Sequence, residues 1–146
     1  MFECIVVGTD GSDTAKKAVG AAADLAKAIG AELNVVSAYQ PISKTRLKRE
    51  EIAAPDDISW MINPREDVEA TLAEAIGVAE EEVKVQTFAR EGDPADAILD
   101  VAEEQQADLI VVGNKGMTGA ARFLLGSVPN KVSHHAPCSV LIVRTT

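Results

Sequence analysis

Two stretches far apart in this chain share one pattern: a run of apolar, mostly β-branched residues that stops at a glycine and turns. Cys4-Ile5-Val6-Val7-Gly8-Thr9-Asp10-Gly11 resembles Leu109-Ile110-Val111-Val112-Gly113-Asn114-Lys115-Gly116. A strand with one wet face alternates apolar and polar residues, so a strand without that alternation is covered on both sides. Two such strands are central strands of a parallel sheet with helices on both faces.

The intervening segments supply those helices. From Thr14 to Ile29, Ala15, Ala18, Val19, Ala22, Ala26 and Ile29 recur at helical spacing. Ser12 is placed to cap this helix and Gly30 to stop it. Leu33–Tyr39 reads as a second strand. A polar connection then runs from Gln40 to Asn63, with a basic run Lys44–Arg49 that reads as solvated loop, and its Trp60 would report any movement there. Pro64 opens a helix with Val68, Leu72, Ala75 and Ile76 on one stripe. Val83–Phe88 is a third strand, and Asp93-Pro94 starts a helix whose apolar face is Ala95, Ile98, Leu99 and Ala102. After Leu109–Val112, a glycine-rich loop spans Gly113 to Gly126, with Phe123, Leu124 and Leu125 expected to pack inward. Ser127 starts the last helix and Ser139–Val143 is the last strand. Every strand-to-strand connection passes through a helix or a long loop, so the sheet is parallel. With the two matching strands adjacent at its centre, the order is 3-2-1-4-5, an open five-stranded Rossmann-like α/β fold.

A length of 146 residues suits a single domain, 1–146, and an apolar fraction of 47% is ample for its core. The formal net charge of -9 repels phosphate backbones and anionic lipid, which argues against nucleic-acid and membrane-surface partners. Met1-Phe2-Glu3-Cys4 has no basic n-region and no apolar run reaches the ~20 residues of a spanning helix, so neither a signal peptide nor a membrane span is expected. Cys4 and Cys138 sit in apolar runs without metal-ligand spacing and read as buried, reduced thiols. In the order above they are separated by strand four, roughly 9–10 Å apart and too far for a disulfide. The expected compartment is the cytoplasm.

The chemistry concentrates in the glycine turns, which meet at the carboxyl ends of the central strands, where open α/β sheets bind ligands. Gly113-Asn114-Lys115-Gly116 is followed after nine residues by Gly126-Ser127 at the start of a helix. Gly113 and Gly116 allow close backbone approach to an anion. Gly126-Ser127 offers N–H groups at the positive end of a helix dipole, plus a hydroxyl, a combination that clamps phosphates without a basic surface. No Gly-Lys-Ser/Thr and no Gly-x-Gly-x-x-Gly is present, so neither the P-loop nor the dinucleotide fingerprint applies.

The spacing Gly-x-x-Gly-x9-Gly-Ser after a strand resembles the motif of the nucleotide-binding branch of the universal stress proteins. The likeness extends through Val7–Ser12, Asp108–Gly113, Leu125–Val128 and His135–Val143. The resemblance implies that Gly113, Asn114, Gly116, Gly126 and Ser127 hold phosphates and that Asp10 meets the ribose hydroxyls or a magnesium or manganese ion carried by the nucleotide. It implies that Gly8, Thr9 and Ala38 line the adenine, with Val112 and Val128 beside them. ATP is the ligand it favours, with cyclic AMP or AMP as alternatives. It also implies a homodimer, and Cys138–Val143, an edge strand without charges, suits strand-to-strand pairing on physical grounds.

Plainer roles compete at several positions. Asp10 suits an Asx turn, Ser127 a helix N-cap, Lys115 a solvated loop, and His134 and His135 the negative end of a helix dipole. No paired acidic metal site, water-orienting glutamine or arginine finger beyond Arg122 stands beside the phosphate loop, so binding is expected rather than rapid turnover. A slow ATPase or autophosphorylating enzyme, and a surface-interaction protein with an unused pocket, are the other classes.

Overall fold

In the computed structural model, described for residues 2–39, 64–78, 83–114 and 125–145, the two matching strands lie side by side. They are β1 (Cys4–Gly8) and β4 (Leu109–Gly113), paired parallel with Ile5 opposite Leu109 and Val7 opposite Val111. Outward from β1 come β2 (Glu32–Tyr39) and β3 (Val85–Glu91); outward from β4 comes β5 (Ser139–Val143). The five strands are parallel in the order β3-β2-β1-β4-β5, as the central pairing demands.

Alternate residues of the central strands feed two separate cores. Ile5, Val7, Leu33, Val35, Leu109 and Val111 point to one face and pack on α1 (Asp13–Ile29) and α2 (Pro64–Val78). Val6, Val36, Ile110 and Val112 point to the other and pack on α3 (Pro94–Glu104) and α4 (Ser127–His135). Ile5, Val6, Val7, Ile110 and Val111 are wholly inaccessible, which is why β1 and β4 carry no polar alternation.

The helix punctuation acts as its chemistry dictates. The Ser12 hydroxyl accepts the Ala15 N–H at 3.2 Å, and Gly30 closes α1 in the left-handed conformation at φ 72°. The Asp93 carboxylate accepts the Asp96 N–H at 3.1 Å, with Pro94 in the first turn of α3.

Several sequence expectations shift. The third strand is Val85–Glu91 rather than Val83–Phe88, because its extent follows its ladder with β2, from Leu33 opposite Val85 to Tyr39 opposite Glu91. Ile29 and Ile76 are exposed rather than on the core stripes. Ile29 ends α1 one turn beyond its last buried residue, Ala26, and Ile76 is turned away from the row that buries Leu72 and Ala75. On α3 the buried face is Ala95, Ala97, Ile98, Val101 and Ala102, with Leu99 at its margin.

Cys4 and Cys138 are free and half-buried rather than fully buried. The Asp108 carboxylate accepts the N–H groups of Glu3 at 2.8 Å and Cys4 at 3.1 Å. Burial raises both thiols above their ordinary range, and nearby carboxylates, Glu32 and Asp108 for Cys4 and Asp108 for Cys138, add to it.

Candidate functional site

The carboxyl ends of β1 and β4 open into a cleft of about 380 Å³ that is open to solvent. Gly8 and Gly113, the residues that end these strands, lie at its base with Val112. Ala15 and Ala18 of α1 form one side, and Ile98 of α3 with Val128 and Pro129 of α4 form the other. Asp10, Ser12, Thr14 and Thr145 supply its polar lining. Small residues keep the sides apart where the strand order reverses, so the fold itself produces the crevice.

Asp10, Ser12 and Thr14 are tied to one another. One Asp10 carboxylate oxygen accepts the Ser12 N–H at 2.9 Å, an Asx turn, and the Ser12 and Thr14 hydroxyls lie 3.2 Å apart. The turn and the lining role coexist, because the turn engages a single Asp10 oxygen while the residue borders the cleft. Such a group of a carboxylate and hydroxyls can hydrogen-bond a sugar diol.

At the other end stand Gly113, Asn114 and the start of α4. Gly126, not Ser127, is the N-cap of α4: its backbone is extended at φ -63° and ψ 164°, and no side chain caps the helix. Ser127 is therefore the first helical residue, exposed, with its N–H and that of Val128 in the turn where helical N–H groups have no helical partner. Pro129 contributes no N–H, and the first helical bond runs from the Asn130 N–H to the Gly126 carbonyl at 3.0 Å. The Gly126 N–H itself donates to the Asn114 carbonyl at 3.0 Å, so it holds the turn together rather than facing a ligand.

The remaining expected residues are placed as follows. Thr9 is buried, its N–H donating to the Val36 carbonyl at 2.9 Å and its hydroxyl oxygen accepting the Gly11 N–H at 3.1 Å. Its side chain borders a smaller cavity against α2, with Thr71 and Glu74, and not the main cleft. Ala38 lies on β2 two residues beyond Val36, the partner of Gly8, and packs with the α3–α4 core. Gly116, with Lys115, Arg122, Phe123, Leu124 and Trp60, lies outside the described residues. His134 and His135 close α4 as exposed residues, away from the cleft lining.

Sequence reasoning missed Ser12, Thr14, Ala15, Ala18, Ile98, Pro129 and Thr145 as lining residues. Ala15, Ala18 and Ile98 carry a core signal, and Ser12 and Pro129 a helix-start signal, that hides any second role. Thr145 had a signal in the register: Gly113 pairs with Val143, so the residue after the next lies against the Gly113-Asn114 turn.

A parallel sheet in this order, with a cleft at its switch point between a glycine turn and a helix start, defines a Rossmann-like α/β protein of the crevice-binding class. The chain belongs to the universal stress protein family, whose family model matches residues 1–144. A universal stress protein of Mycobacterium tuberculosis is 39% identical over 150 residues, spanning 99% of this chain and 98% of its own. Another, from Thermus aquaticus, is 37% identical over 156 residues, spanning 99% and 100%. Among solved structures, a universal stress protein in complex with cAMP superposes with a TM-score of 0.73 at 35% identity, covering 99% of this chain and 98% of that one. The universal stress protein of Archaeoglobus fulgidus in complex with dAMP superposes with a TM-score of 0.67 at 27% identity, covering 98% of each.

Proposed function

We propose that this chain binds an adenine nucleotide in the cleft between Gly8 and Gly113, with ATP as its ligand, and acts as a nucleotide-responsive regulator in stress physiology. The observation that carries the reading is the convergence of the two strand-ending glycines with the N-terminus of α4. In this arrangement the Asp10–Ser12–Thr14 group holds the ribose, Gly8, Val112 and Val128 bound the base, and Gly113 with the Ser127 and Val128 N–H groups receives the phosphates. Thr9 and Ala38 contribute through backbone alone, because their side chains lie outside the cleft lining. Gly116 completes the phosphate clamp on the strength of the motif spacing. Asp10, whose carboxylate stands at the cleft, would be the residue to meet a magnesium or manganese ion carried by the nucleotide, and such an ion would neutralise phosphate charge.

Cyclic AMP is the second reading, favoured by the cAMP-bound relative with its TM-score of 0.73. A cyclic monophosphate needs only part of the clamp. The family likeness to proteins solved with cAMP and dAMP supports an adenine nucleotide in either case. Mass spectrometry of nucleotide released by acid precipitation from freshly purified protein, followed by equilibrium dialysis of the stripped protein against ATP and cAMP, separates the two. Recovery of ATP with tighter rebinding of ATP supports the first reading; preferential retention of cAMP replaces it with the second.

Turnover is slow in this account. Fast phosphoryl transfer requires a positioned nucleophile and a held metal in line with the phosphates, and Asp10 is the acid this cleft lining supplies. A steady rate of several ATP per second would contradict it.

The protein works as a homodimer in a reducing compartment, the cytoplasm. β5 pairs with β4 on one side and ends the sheet on the other, and Leu141 and Ile142 on it are 41% and 40% exposed. An exposed, uncharged edge strand pairs readily with its own copy.

A further inference from the structure

We infer that Thr145 is a positioning residue for the phosphate end of the cleft, acting through Asn114; the inference rests on the nucleotide-binding reading. Thr145 lies two residues past β5 yet is only 3% exposed. A polar residue is buried to that degree only when its bonds are met, and here all of them are. Its N–H donates to the Asn114 side-chain oxygen at 2.8 Å, its hydroxyl lies 3.1 Å from that same oxygen, and its carbonyl accepts from the Lys17 ammonium at 3.3 Å. A backbone N–H can only donate, so the Asn114 atom it meets is the carbonyl oxygen, and the Thr145 hydroxyl must donate to it as well.

Asn114 passes this restraint on. Its N–H donates to the Val143 carbonyl at 2.9 Å and its own carbonyl accepts the Gly126 N–H at 3.0 Å. A continuous chain of bonds thus runs from Lys17 on α1 through Thr145 and Asn114 to the cap of α4. It spans both sides of the cleft behind Gly113, and it sets the distance between the Gly113 turn and the Ser127 and Val128 N–H groups. The Thr145 methyl completes the fit: a Cβ built on Gly113 would stand 3.3 Å from it.

The test compares Thr145→Val, which keeps the shape and loses the hydroxyl, with Thr145→Ser, which keeps the hydroxyl. ATP affinity is measured by calorimetry on stripped protein, and exchange of the Gly126 amide hydrogen by NMR. Loss of one hydrogen bond of ordinary strength predicts roughly fivefold weaker ATP binding in Thr145→Val. The Gly126 amide exchanges faster in that variant, and Thr145→Ser restores both. Unchanged affinity in Thr145→Val, or equal weakening in Thr145→Ser, overturns the inference. If the wild-type chain binds no adenine nucleotide the functional reading fails by itself; unchanged Gly126 exchange in Thr145→Val would then overturn the latch, and faster exchange would support it.

Discussion

Ser12 shows how much a single residue carries at this site. Its hydroxyl caps α1, its N–H closes the Asp10 turn, and it borders the cleft. Ser12→Ala removes the cap and leaves the turn, at a cost of about 1 kcal/mol in unfolding free energy. Urea unfolding should show that loss with an unchanged slope. The cysteines make a second prediction at this scale. Burial and neighbouring carboxylates raise both thiols above the ordinary value of 9.0, so the folded protein holds less thiolate than an unfolded chain at any given pH near neutral. Alkylation by iodoacetamide near neutral pH should be slower folded than unfolded, and the folded rate should level off at a higher pH than the unfolded rate does. Equal rates in the two states would contradict the burial argument. The linkage has the same sign: protonated thiols favour the folded state, a contribution present below the ordinary value and lost as pH rises through the raised one.

Among the elements, legibility in the sequence followed burial on two faces. β1 and β4 announce themselves because both their faces are covered, and their matching glycine turns mark residues that line the cleft. Of the two edge strands, β5 was legible with its bounds and β3 was not. β3 draws its limits from its pairing with β2, through Arg90 and Glu91, which carry no strand signal of their own. Helix starts were legible at Ser12 and Asp93, where a side chain does the capping, and at Ser127 for α4, where only the cap itself was misassigned because an extended Gly126 caps without a side chain. Thr145 escaped notice because a lone threonine has no periodic signature; its role exists only through the register of β5 against β4. The edge itself yields a prediction. A lysine in place of Ile142 puts a charge on the strand that would pair with a second copy. Light scattering should show a dimer for the wild-type chain and a monomer for Ile142→Lys. A monomeric wild-type chain would remove dimerisation from the account.

For the whole molecule, the net charge of -9 and the phosphate-binding reading are compatible because the phosphate end is built from backbone N–H groups and a helix start. In that reading recognition would be local, while a net charge of this sign repels polyanions at long range. Restraint at the cleft is likewise shared across the fold: α1 through Lys17, the end of β4 through Asn114, the residue following β5 through Thr145, and α4 through Gly126. A ligand bridging α1 and α4 would tighten elements from both faces of the sheet, and its binding should raise the melting temperature by mass action. The central claim is that an adenine nucleotide occupies the cleft over Gly113. Calorimetric titration of ATP into stripped protein tests it, with Gly113→Val, whose added side chain would crowd Thr145 and fill the base of the cleft, as the partner experiment. The account predicts one ATP per wild-type chain and a loss of binding of at least ~tenfold in a Gly113→Val protein that still unfolds cooperatively. Undiminished ATP binding by folded Gly113→Val would place the site elsewhere and contradict the account.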